Sequence, residues 1–269
     1  MIHTGSKSQT IAVAVIPARY SSTRLPGKAL LPIAGKPLIV WVAERAASAS
    51  SISRVIVATD DARISDAVIE AGFEAIMTRA DHKSGTDRVA EVATQLDAEI
   101  IVNVQGDEPL IAAGTIDRAV SALIDDPTAQ MSTTSEEISD PDDFTNPSVV
   151  KVSVDSDGNA VSFSRNLIPN QAVPKHGSPE SSPDGSGLLF SFRKHTGLYV
   201  YRRDFLLEFA GWPQSESEQT QSLEQLRALD RGVRIKVVEA AAQSIGVDTA
   251  EDLERVRAMV KARGGAAYQ

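Results

Sequence analysis

Segments with the pattern of buried strands alternate with segments of helical period along the first half of the 269-residue chain. Residues 11–16 form a continuous apolar run rich in β-branched side chains, which is typical of a strand covered on both faces of a parallel sheet. The alternation continues with strand patterns at 54–59, 73–77 and 99–104 and helical patterns at 37–47, 62–71 and 86–95. We therefore predict an α/β fold built on a doubly wound, mostly parallel sheet with right-handed crossovers.

The pattern changes after residue 125 and predicts a smaller antiparallel part. Runs at 149–154 and 160–163 flank a polar turn that contains Gly158 and Asn159, two residue types that tolerate a positive φ in hairpins. The strand–helix pattern then returns, with strands expected at 196–201 and 234–238 and helices at 203–210, at 222–229 and from Thr249, which pairs with Asp252 in a capping-box pattern.

Residues 175–187 are rich in Pro, Ser and Gly and are expected to form a mobile loop. The sequence leaves open whether this loop closes over a ligand. The chain shows no internal repeat and no long run of charge, and we expect a single domain over residues 11–260 that follows a tail of residues 1–10.

Composition narrows the class of protein. Hydrophobic residues make up 42% of the chain and charged residues 23%, so the chain can bury a full core. Lys and Arg total 27 against 36 Asp and Glu, and the net charge of -9 disfavours nucleic acid as a partner. Cysteine is absent, which excludes disulfides, thiolate zinc sites and a cysteine nucleophile. No stretch resembles a membrane span or a signal peptide, so we expect a cytoplasmic protein with small-molecule partners and no membrane contact.

Residues 19–28 form a polar loop directly after the first predicted strand. Arg19, Arg24 and Lys28 supply three positive charges, and the loop adds three Ser and Thr hydroxyl groups and Gly27. Open α/β sheets bind ligands at the carboxyl ends of their strands, and this composition suits a polyphosphate. The loop lacks the glycine patterns of a dinucleotide site and of a P-loop, and the same composition also fits a solvated surface loop.

Two acidic residues follow predicted strand ends. Asp107 comes after the strand at 99–104, and Asp248 follows residues 245–247, a short segment that also has the pattern of a strand end before a helix. Mg²⁺ usually takes one or two protein carboxylates together with phosphate oxygens, so this pair can share one ion. Each aspartate also has a structural alternative, which is a capped turn for Asp107 and a favourable helix-dipole position for Asp248.

Three further signals are weak when they are taken alone. Residues 78–86 form a polar loop that leads into a helix, where exposed N–H groups and hydroxyls can contact a base or a phosphate. His195 precedes an apolar strand, and a lone histidine of this kind is usually structural. Glu224 and Gln225 lie in a predicted helix whose leucines face the core, which favours a solvated position for both.

Seven segments link these signals in one order along the chain. They are VIPAR at 15–19, STRLPGK at 22–28, DHKSGTDR at 81–88, VNVQGDEP at 102–109, KHTGLY at 194–199, SLEQLR at 222–227 and GVDT at 246–249. With these motifs the chain resembles the 3-deoxy-manno-octulosonate cytidylyltransferase (CMP-Kdo synthetase) family over residues 11–260.

The resemblance implies a nucleotidyltransferase sheet with a smaller antiparallel subdomain that serves dimer formation, so a homodimer is expected. It also implies transfer of CMP from CTP to the anomeric hydroxyl of 3-deoxy-D-manno-octulosonate (Kdo), which gives CMP-Kdo and pyrophosphate for lipopolysaccharide synthesis. On this basis residues 11–125 form the CTP-binding part, 126–202 the antiparallel, sugar-binding and dimer part, and 203–260 the return to the main sheet.

The positions that match the family motifs carry the roles that the resemblance implies. The expected catalytic residues are Lys28, Asp107 and Asp248, of which the two aspartates are expected to bind Mg²⁺. The expected nucleotide-binding residues are Arg19, Arg24, Lys28, Arg79, Ser84, Thr86 and Gln105. The expected sugar-binding residues are Arg165, His195, Tyr199, Glu224 and Gln225, with Arg165 as the natural partner of the sugar carboxylate.

Two departures from the family pattern affect the sugar site. After Arg165 the usual Ala-Pro-Ile-Pro-Tyr is replaced by Asn-Leu-Ile-Pro-Asn, and at 215–218 the usual Ser-Pro-Leu-Glu is replaced by Ser-Glu-Ser-Glu. The first removes an aromatic residue and the second adds an acid, so a different acid sugar, such as 8-amino-Kdo or a nine-carbon ulosonic acid, is an alternative substrate.

A nucleotide-binding regulator without turnover is disfavoured by the presence of both aspartates. An oxidoreductase is disfavoured by the missing glycine fingerprint.

Overall fold

The computed structural model describes residues 12–22, 24–166, 180–181 and 189–262. Its strands are β1 (Ala12–Ala18), β2 (Pro32–Ile33), β3 (Lys36–Pro37), β4 (Ile52–Thr59), β5 (Glu74–Met77), β6 (Ile100–Asn103), β7 (Met131–Glu136), β8 (Lys151–Val154), β9 (Ala160–Ser164), β10 (Glu180–Ser181), β11 (Leu189–Arg202) and β12 (Ile235–Glu239). Its helices are α1 (Leu38–Ala47), α2 (Ala62–Glu70), α3 (Gly85–Ala93), α4 (Ala113–Asp125), α5 (Asp142–Thr145), α6 (Arg203–Ala210), α7 (Glu216–Gln221), α8 (Gln225–Asp230) and α9 (Ala250–Ala262).

The strands of the main sheet lie in the order β12-β7-β11-β6-β1-β4-β5. β1 pairs in parallel with both β4 and β6, β5 pairs in parallel with β4, and β12 pairs in parallel with β7. β11 lies between β6 and β7 and is antiparallel to both. Hydrophobic clusters cover both faces of the sheet, so the expected α/β fold with a mostly parallel central sheet is confirmed.

The alternation of side chains along β1 shows how both faces are covered. Ala14 and Ile16 belong to a core cluster that includes helix α1, whereas Val13 and Val15 belong to a second cluster that includes helix α3. All four side chains are buried. Because β1 is covered on both faces, only its carboxyl end is within reach of a ligand.

The predicted hairpin is present. β8 and β9 pair antiparallel, Gly158 adopts a φ of 79° in the turn between them, and Asp155 Oδ1 accepts the backbone N–H of Asn159 at 2.8 Å. β8 also pairs with β11, the strand expected at 196–201, which begins at Leu189 and is longer than predicted. The antiparallel part is therefore continuous with the main sheet through β11.

The helix expected over 222–229 is present as α8, but it begins at Gln225, three residues later than predicted. A short helix that the sequence pattern does not predict, α7, precedes it and starts at a capping box formed by Ser215 and Glu218. It ends at Ser222, whose φ of 52° is left-handed, and helix α8 begins only at Gln225. The break turns Gln225 inward, where it is 3% exposed instead of solvated.

Residues 245–248 also differ from the expected strand end and form an irregular segment outside any strand. The capping box before α9 is present, with the Asp252 N–H donating to Thr249 Oγ1 at 3.2 Å and the Thr249 N–H donating to Asp252 Oδ2 at 3.0 Å.

The predicted loop at 175–187 lies outside the described residues except for 180–181, and the tail 1–10 lies wholly outside them. No helix in the described ranges is long and apolar enough to cross a lipid bilayer.

Gly106 lies where the loop after β6 comes closest to the end of β1. A Cβ atom at this position would lie 2.7 Å from the carbonyl oxygen of Pro17, a main-chain atom that cannot rotate away. The absence of a side chain at Gly106 therefore allows the following residue, Asp107, to approach the polar loop at 19–28.

We predict that Gly106→Ala lowers the free energy of unfolding by about 1–3 kcal/mol, because the added methyl group overpacks a backbone contact. Gly246→Ala is the matched control, since no heavy atom of the described residues lies within 4 Å of its Cβ position. Denaturant unfolding of both variants and the parent chain measures the difference. Equal stability of the two variants would contradict the packing argument.

Candidate active site

Two adjoining cavities, of about 790 and 290 Å³, open at the carboxyl ends of β1 and β6. The lining of the larger cavity includes Asn103, Thr86, Arg165, His195, Tyr199, Glu224 and Gln225. The lining of the smaller cavity includes Arg19, Arg24, Lys28 and Ser84. The residues that line both cavities are Gly85, Gln105, Asp107 and Asp248. The five expected sugar-binding residues therefore line one cavity, the cationic loop lines the other, and the two aspartates lie where the cavities meet.

A main-chain hydrogen bond holds the two aspartate-bearing segments together. The Val247 N–H donates to the carbonyl oxygen of Asp107 at 2.8 Å. The Val247 side chain is fully buried in the core, which anchors the segment that carries Asp248. Two segments that are distant in sequence are thus fixed side by side by the backbone.

Lys28 lies between the two carboxylates. Its Nζ donates to Asp107 Oδ2 at 2.9 Å and to Asp248 Oδ1 at 3.1 Å. One ammonium group therefore bridges both carboxylates. Arg24 Nη2 lies 2.9 Å from the same Asp248 oxygen. The Lys28 side chain is 16% exposed and that of Arg24 is 66% exposed, so Lys28 is enclosed in the site and Arg24 lies at its mouth.

The loop that carries these cations folds back on itself around Tyr20. The Gly27 N–H donates to the Tyr20 carbonyl oxygen at 3.1 Å, and the φ of 69° at Gly27 allows the turn that leads into Lys28. The guanidinium of Arg63 lies 3.4 Å from the centroid of the Tyr20 ring, and Asp61 accepts hydrogen bonds from the Nε and Nη2 of this arginine. Helix α2 therefore supports the loop from the outside.

Glu224 accepts hydrogen bonds from the first turn of α3. Thr86 Oγ1 donates to Glu224 Oε2 at 2.7 Å, and Ser84 Oγ donates to Oε1 at 3.4 Å. Arg227, itself buried and paired with Glu218, also donates to Oε1 at 3.1 Å. Burial raises the pKa of Glu224, an effect that the bonds from Thr86 and Arg227 oppose. Thr86 therefore lies with the expected sugar-binding residues and supports one of them.

His195 is held as a neutral imidazole. Its Nε2 lies 2.9 Å from Thr133 Oγ1, and the same hydroxyl donates to the carbonyl oxygen of Leu198 at 2.7 Å. A hydroxyl has one proton to donate, so Thr133 accepts its second hydrogen bond from the Nε2–H, and this leaves Nδ1 as an acceptor. Burial lowers the pKa of His195 to about 3.

Tyr199 and Arg165 complete the larger cavity. The Tyr199 hydroxyl donates to Gln225 Oε1 at 3.0 Å, and burial raises the pKa of Tyr199, so the phenol stays protonated. Arg165 Nε donates to the Gln221 carbonyl oxygen at 2.9 Å, and Nη1 donates to the Pro147 carbonyl oxygen at 3.3 Å. No carboxylate of the described residues pairs with Arg165, so its positive charge stays available to a ligand.

Arg79 and Glu216 lie apart from both cavities. The Arg79 side chain is exposed, with its Nε 3.6 Å from Asp81 and 3.7 Å from Glu91, and it lines a separate depression beside α3. The expected contact of Arg79 with the nucleotide is therefore not supported by its placement. Glu216, the acid that departs from the family motif, is exposed in the first turn of α7. The other departure, after Asn166, lies outside the described residues.

Sequence reasoning missed the buried polar residues that shape the larger cavity, namely Asn103, Thr133 and Arg227 with its partner Glu218. Thr133 lies in β7, where all six residues are buried although five of them are polar. This run of short polar side chains is visible in the sequence. It does not show, however, that β7 is a central strand, and a polar run alone is more typical of a loop.

The fold and the site together define a class of protein. A cationic loop follows the first strand of an α/β sheet, and two aspartates converge where a cavity for an anion adjoins a cavity lined by hydrogen-bonding groups. This is the arrangement of a nucleotidyltransferase.

Comparisons with known proteins specify the family. The cytidylyltransferase family model matches residues 13–235. Curated relatives named 3-deoxy-manno-octulosonate cytidylyltransferase include that of Trichlorobacter lovleyi, 51% identical over 93% of this chain and 98% of its own length, and that of Pelobacter propionicus, 53% identical over 93% and 97%. A solved structure of CMP:2-keto-3-deoxy-manno-octonic acid synthetase complexed with CTP matches with a TM-score of 0.83 at 42% identity and covers 94% of this chain and 100% of that one. The chain belongs to the 3-deoxy-manno-octulosonate cytidylyltransferase family, and the resemblance seen in its motifs is confirmed.

We predict that His195 makes the fold less stable as the pH falls. The imidazole has a pKa of 6.5 in the unfolded chain and about 3 in the fold, so the unfolded chain binds the extra proton between these values. The stabilising contribution is therefore complete above pH 6.5 and is lost progressively below it. Denaturant unfolding at about pH 7 and about pH 5 should show a larger loss of stability for the parent chain than for His195→Gln, which does not titrate. An equal loss in both would show that His195 is not the responsible group.

Proposed function

We propose that the chain transfers CMP from CTP to the anomeric hydroxyl of Kdo and releases pyrophosphate, giving CMP-Kdo for lipopolysaccharide synthesis. One observation carries the proposal: Asp107, Asp248 and Lys28 meet where a cationic cavity adjoins a cavity lined by hydrogen-bonding groups. The names of relatives that are more than half identical to this chain support the same substrates.

The smaller cavity suits the triphosphate of CTP. Arg19, Arg24 and Lys28 place three positive charges on one loop, which complements the several negative charges of a polyphosphate. Ser84 adds a hydroxyl at the start of α3, where backbone N–H groups favour an anion. Gln105 lines both cavities and is assigned to the cytidine.

The larger cavity suits a hydroxylated sugar acid. Arg165 is the cation for the carboxylate, because no acidic side chain of the described residues neutralises it. His195 and Tyr199 are neutral at physiological pH because of their burial, so they recognise hydroxyl groups by hydrogen bonding and not by charge. Glu224 and Gln225 add further acceptor and donor groups on the facing wall.

Asp107 and Asp248 fit a Mg²⁺ site. Their carboxylates converge on one cationic atom, Lys28 Nζ, and carboxylate oxygens are the ligands that Mg²⁺ prefers. Within the described ranges there is no cluster of three or more His, Cys, Asp or Glu side chains, and Mg²⁺ commonly needs only one or two carboxylates because water and substrate phosphates complete its shell. A bound Mg²⁺ would supply positive charge to the nucleotide phosphates and to the attacking hydroxyl.

The side chains of the site align the two substrates for an in-line displacement. The anomeric oxygen of the sugar forms a bond to the α-phosphorus while the bond from that phosphorus to the bridging oxygen of pyrophosphate breaks on the opposite side. Lys28 and Arg24 offset the negative charge that builds on the departing pyrophosphate. Arg165 holds the carboxylate and thereby orients the anomeric centre towards the junction of the cavities. The hydroxyl proton passes to solvent.

We further infer that the protein is a cytoplasmic homodimer that uses the antiparallel part as its interface. Among the described strands, β9 pairs only with β8 and is therefore an edge strand. Val161 in β9 is an exposed large hydrophobic residue, and an unpaired edge with an apolar side chain suits contact with a second copy. Light scattering of the purified chain tests the oligomeric state.

We predict that pyrophosphate is released only when CTP, Kdo and Mg²⁺ are present together. The four ribonucleoside triphosphates are compared separately with and without Kdo, and CTP is expected to exceed each of the others by at least about tenfold. Replacing Kdo by 8-amino-Kdo or a nine-carbon ulosonic acid distinguishes the alternative sugars. Release that is independent of any sugar would contradict CMP transfer, and the absence of release with every sugar would favour a regulator.

We also predict that Asp107→Asn and Asp248→Asn each lower kcat by at least about 100-fold, because each removes a carboxylate ligand and so weakens the binding of the Mg²⁺ that would supply positive charge at the reacting phosphate. The exposed Asp66 of α2 provides the control, and Asp66→Asn should retain the parent activity. Calorimetric titration of Mg²⁺ in the presence of CTP gives a second readout and should show weaker binding in the two site variants. Near-parent activity of a folded Asp107→Asn protein would contradict the assignment.

A further inference from the structure

Asn103 is the last residue of β6, and its side chain lines the larger cavity. In the sheet register it lies between Val15 of β1 and Tyr199 of β11. Side chains at paired positions of neighbouring strands face the same side of a sheet, so Asn103 lies beside Tyr199 in the cavity wall.

The Asn103 side chain is buried, and its amide oxygen is unsatisfied. The residue is 1% exposed, and its Oδ1 has no hydrogen-bond partner among the residues that the structure describes. A buried polar atom without a partner destabilises a fold, because its hydrogen bonds to water are lost and not replaced. Leucine has a similar size and would occupy this position without that cost.

Two other buried polar side chains in the sheet, Ser132 and Thr133, are satisfied by the protein itself. Ser132 Oγ donates to the carbonyl oxygen of Ala119 at 2.6 Å, and Thr133 Oγ1 donates to that of Leu198 at 2.7 Å. These residues have structural partners that account for their polarity. Asn103 Oδ1 lacks such a partner among the described residues, and the space that its side chain faces is the larger cavity.

A second unsatisfied amide group lines the same cavity. Gln225 is buried, and its Oε1 accepts a hydrogen bond from the Tyr199 hydroxyl, whereas its Nε2 has no partner in the described part of the chain. The cavity therefore presents an acceptor and a donor that are both already desolvated. A hydroxyl group both donates and accepts, so it is the ligand group that satisfies such a pair.

We propose that Asn103 is a specificity-determining residue that binds a hydroxyl group of the sugar acid, alongside Gln225. The inference rests on the proposed function, which places the sugar in the larger cavity. It does not involve the triphosphate, because Asn103 lines only the larger of the two cavities. Its amide is satisfied when the sugar is bound, so a substrate that lacks the matching hydroxyl leaves a buried polar group unpaired and is rejected.

Asn103→Leu separates binding from folding, because the two effects have opposite signs. Removal of an unsatisfied buried amide should raise the Tm, while KM for Kdo rises at least about tenfold and KM for CTP stays within about twofold. Ser132→Ala is the control, since it removes a satisfied buried hydrogen bond outside the cavity and should lower the Tm without changing either KM. Asn103→Ala is a second variant that removes the amide without adding bulk.

Analogues of Kdo that each lack one hydroxyl group identify the contact. The parent enzyme should disfavour one analogue by at least about tenfold in kcat/KM, and Asn103→Leu should lose that discrimination. An unchanged KM for Kdo in both Asn103 variants, or equal discrimination by parent and variant, overturns the inference. If the parent releases no pyrophosphate with Kdo, the proposed function fails. The role of Asn103 is then decided by calorimetric titration of Kdo into the parent and into Asn103→Leu. Equal binding by the two proteins, or no binding by either, overturns the inference.

Discussion

The site depends on one main-chain hydrogen bond, from the Val247 N–H to the carbonyl oxygen of Asp107. This bond uses backbone atoms only, so the carboxylates of Asp107 and Asp248 remain available to the cavities while their spacing is fixed. Two carboxylates held this close repel each other, and a cation between them removes the repulsion. Lys28 supplies that cation by donating to both. The cationic loop and the acidic pair are therefore one electrostatic unit, built from three segments of the chain that are distant in sequence.

The architecture could be predicted from the sequence because its signals are local. A continuous apolar run at 11–16 predicts a buried strand wherever it occurs, and the alternation of such runs with helical patterns leaves few topologies. Local signals failed where a tertiary contact decides the conformation. Ser222 adopts a left-handed φ between α7 and α8, so the expected helix begins only at Gln225, and Val247 bonds to a loop instead of to a strand. The length of β11 likewise depends on its pairing with β8, which is not visible in its own residues.

The charged residues of the site could be predicted from their own positions, whereas its neutral residues were found only through the family motifs or, for Asn103 and Thr133, not at all. A cation or an acid directly after a strand end lies at the ligand-binding edge of an open sheet, so Lys28 and Asp107 could be named from their positions. Asn103 and Thr133 lie within strands, where a polar side chain has no single interpretation. Their importance depends on whether a partner is present: Thr133 has partners that fix the tautomer of His195, whereas Asn103 Oδ1 has none among the described residues. Only the packed structure distinguishes these two cases.

Burial divides the recognition of the two substrates between the cavities. The larger cavity keeps His195 and Tyr199 neutral and includes Arg165, which pairs with no carboxylate of the described residues, so it suits a ligand that combines a carboxylate with many hydroxyl groups. The smaller cavity concentrates positive charge around Lys28 and suits a ligand with several negative charges. A triphosphate in the larger cavity would lie beside Glu224, and a sugar in the smaller cavity would leave cations unpaired. In the proposed arrangement the two substrates are therefore sorted by charge before they react, and their reacting atoms meet at the junction, where the aspartates are held.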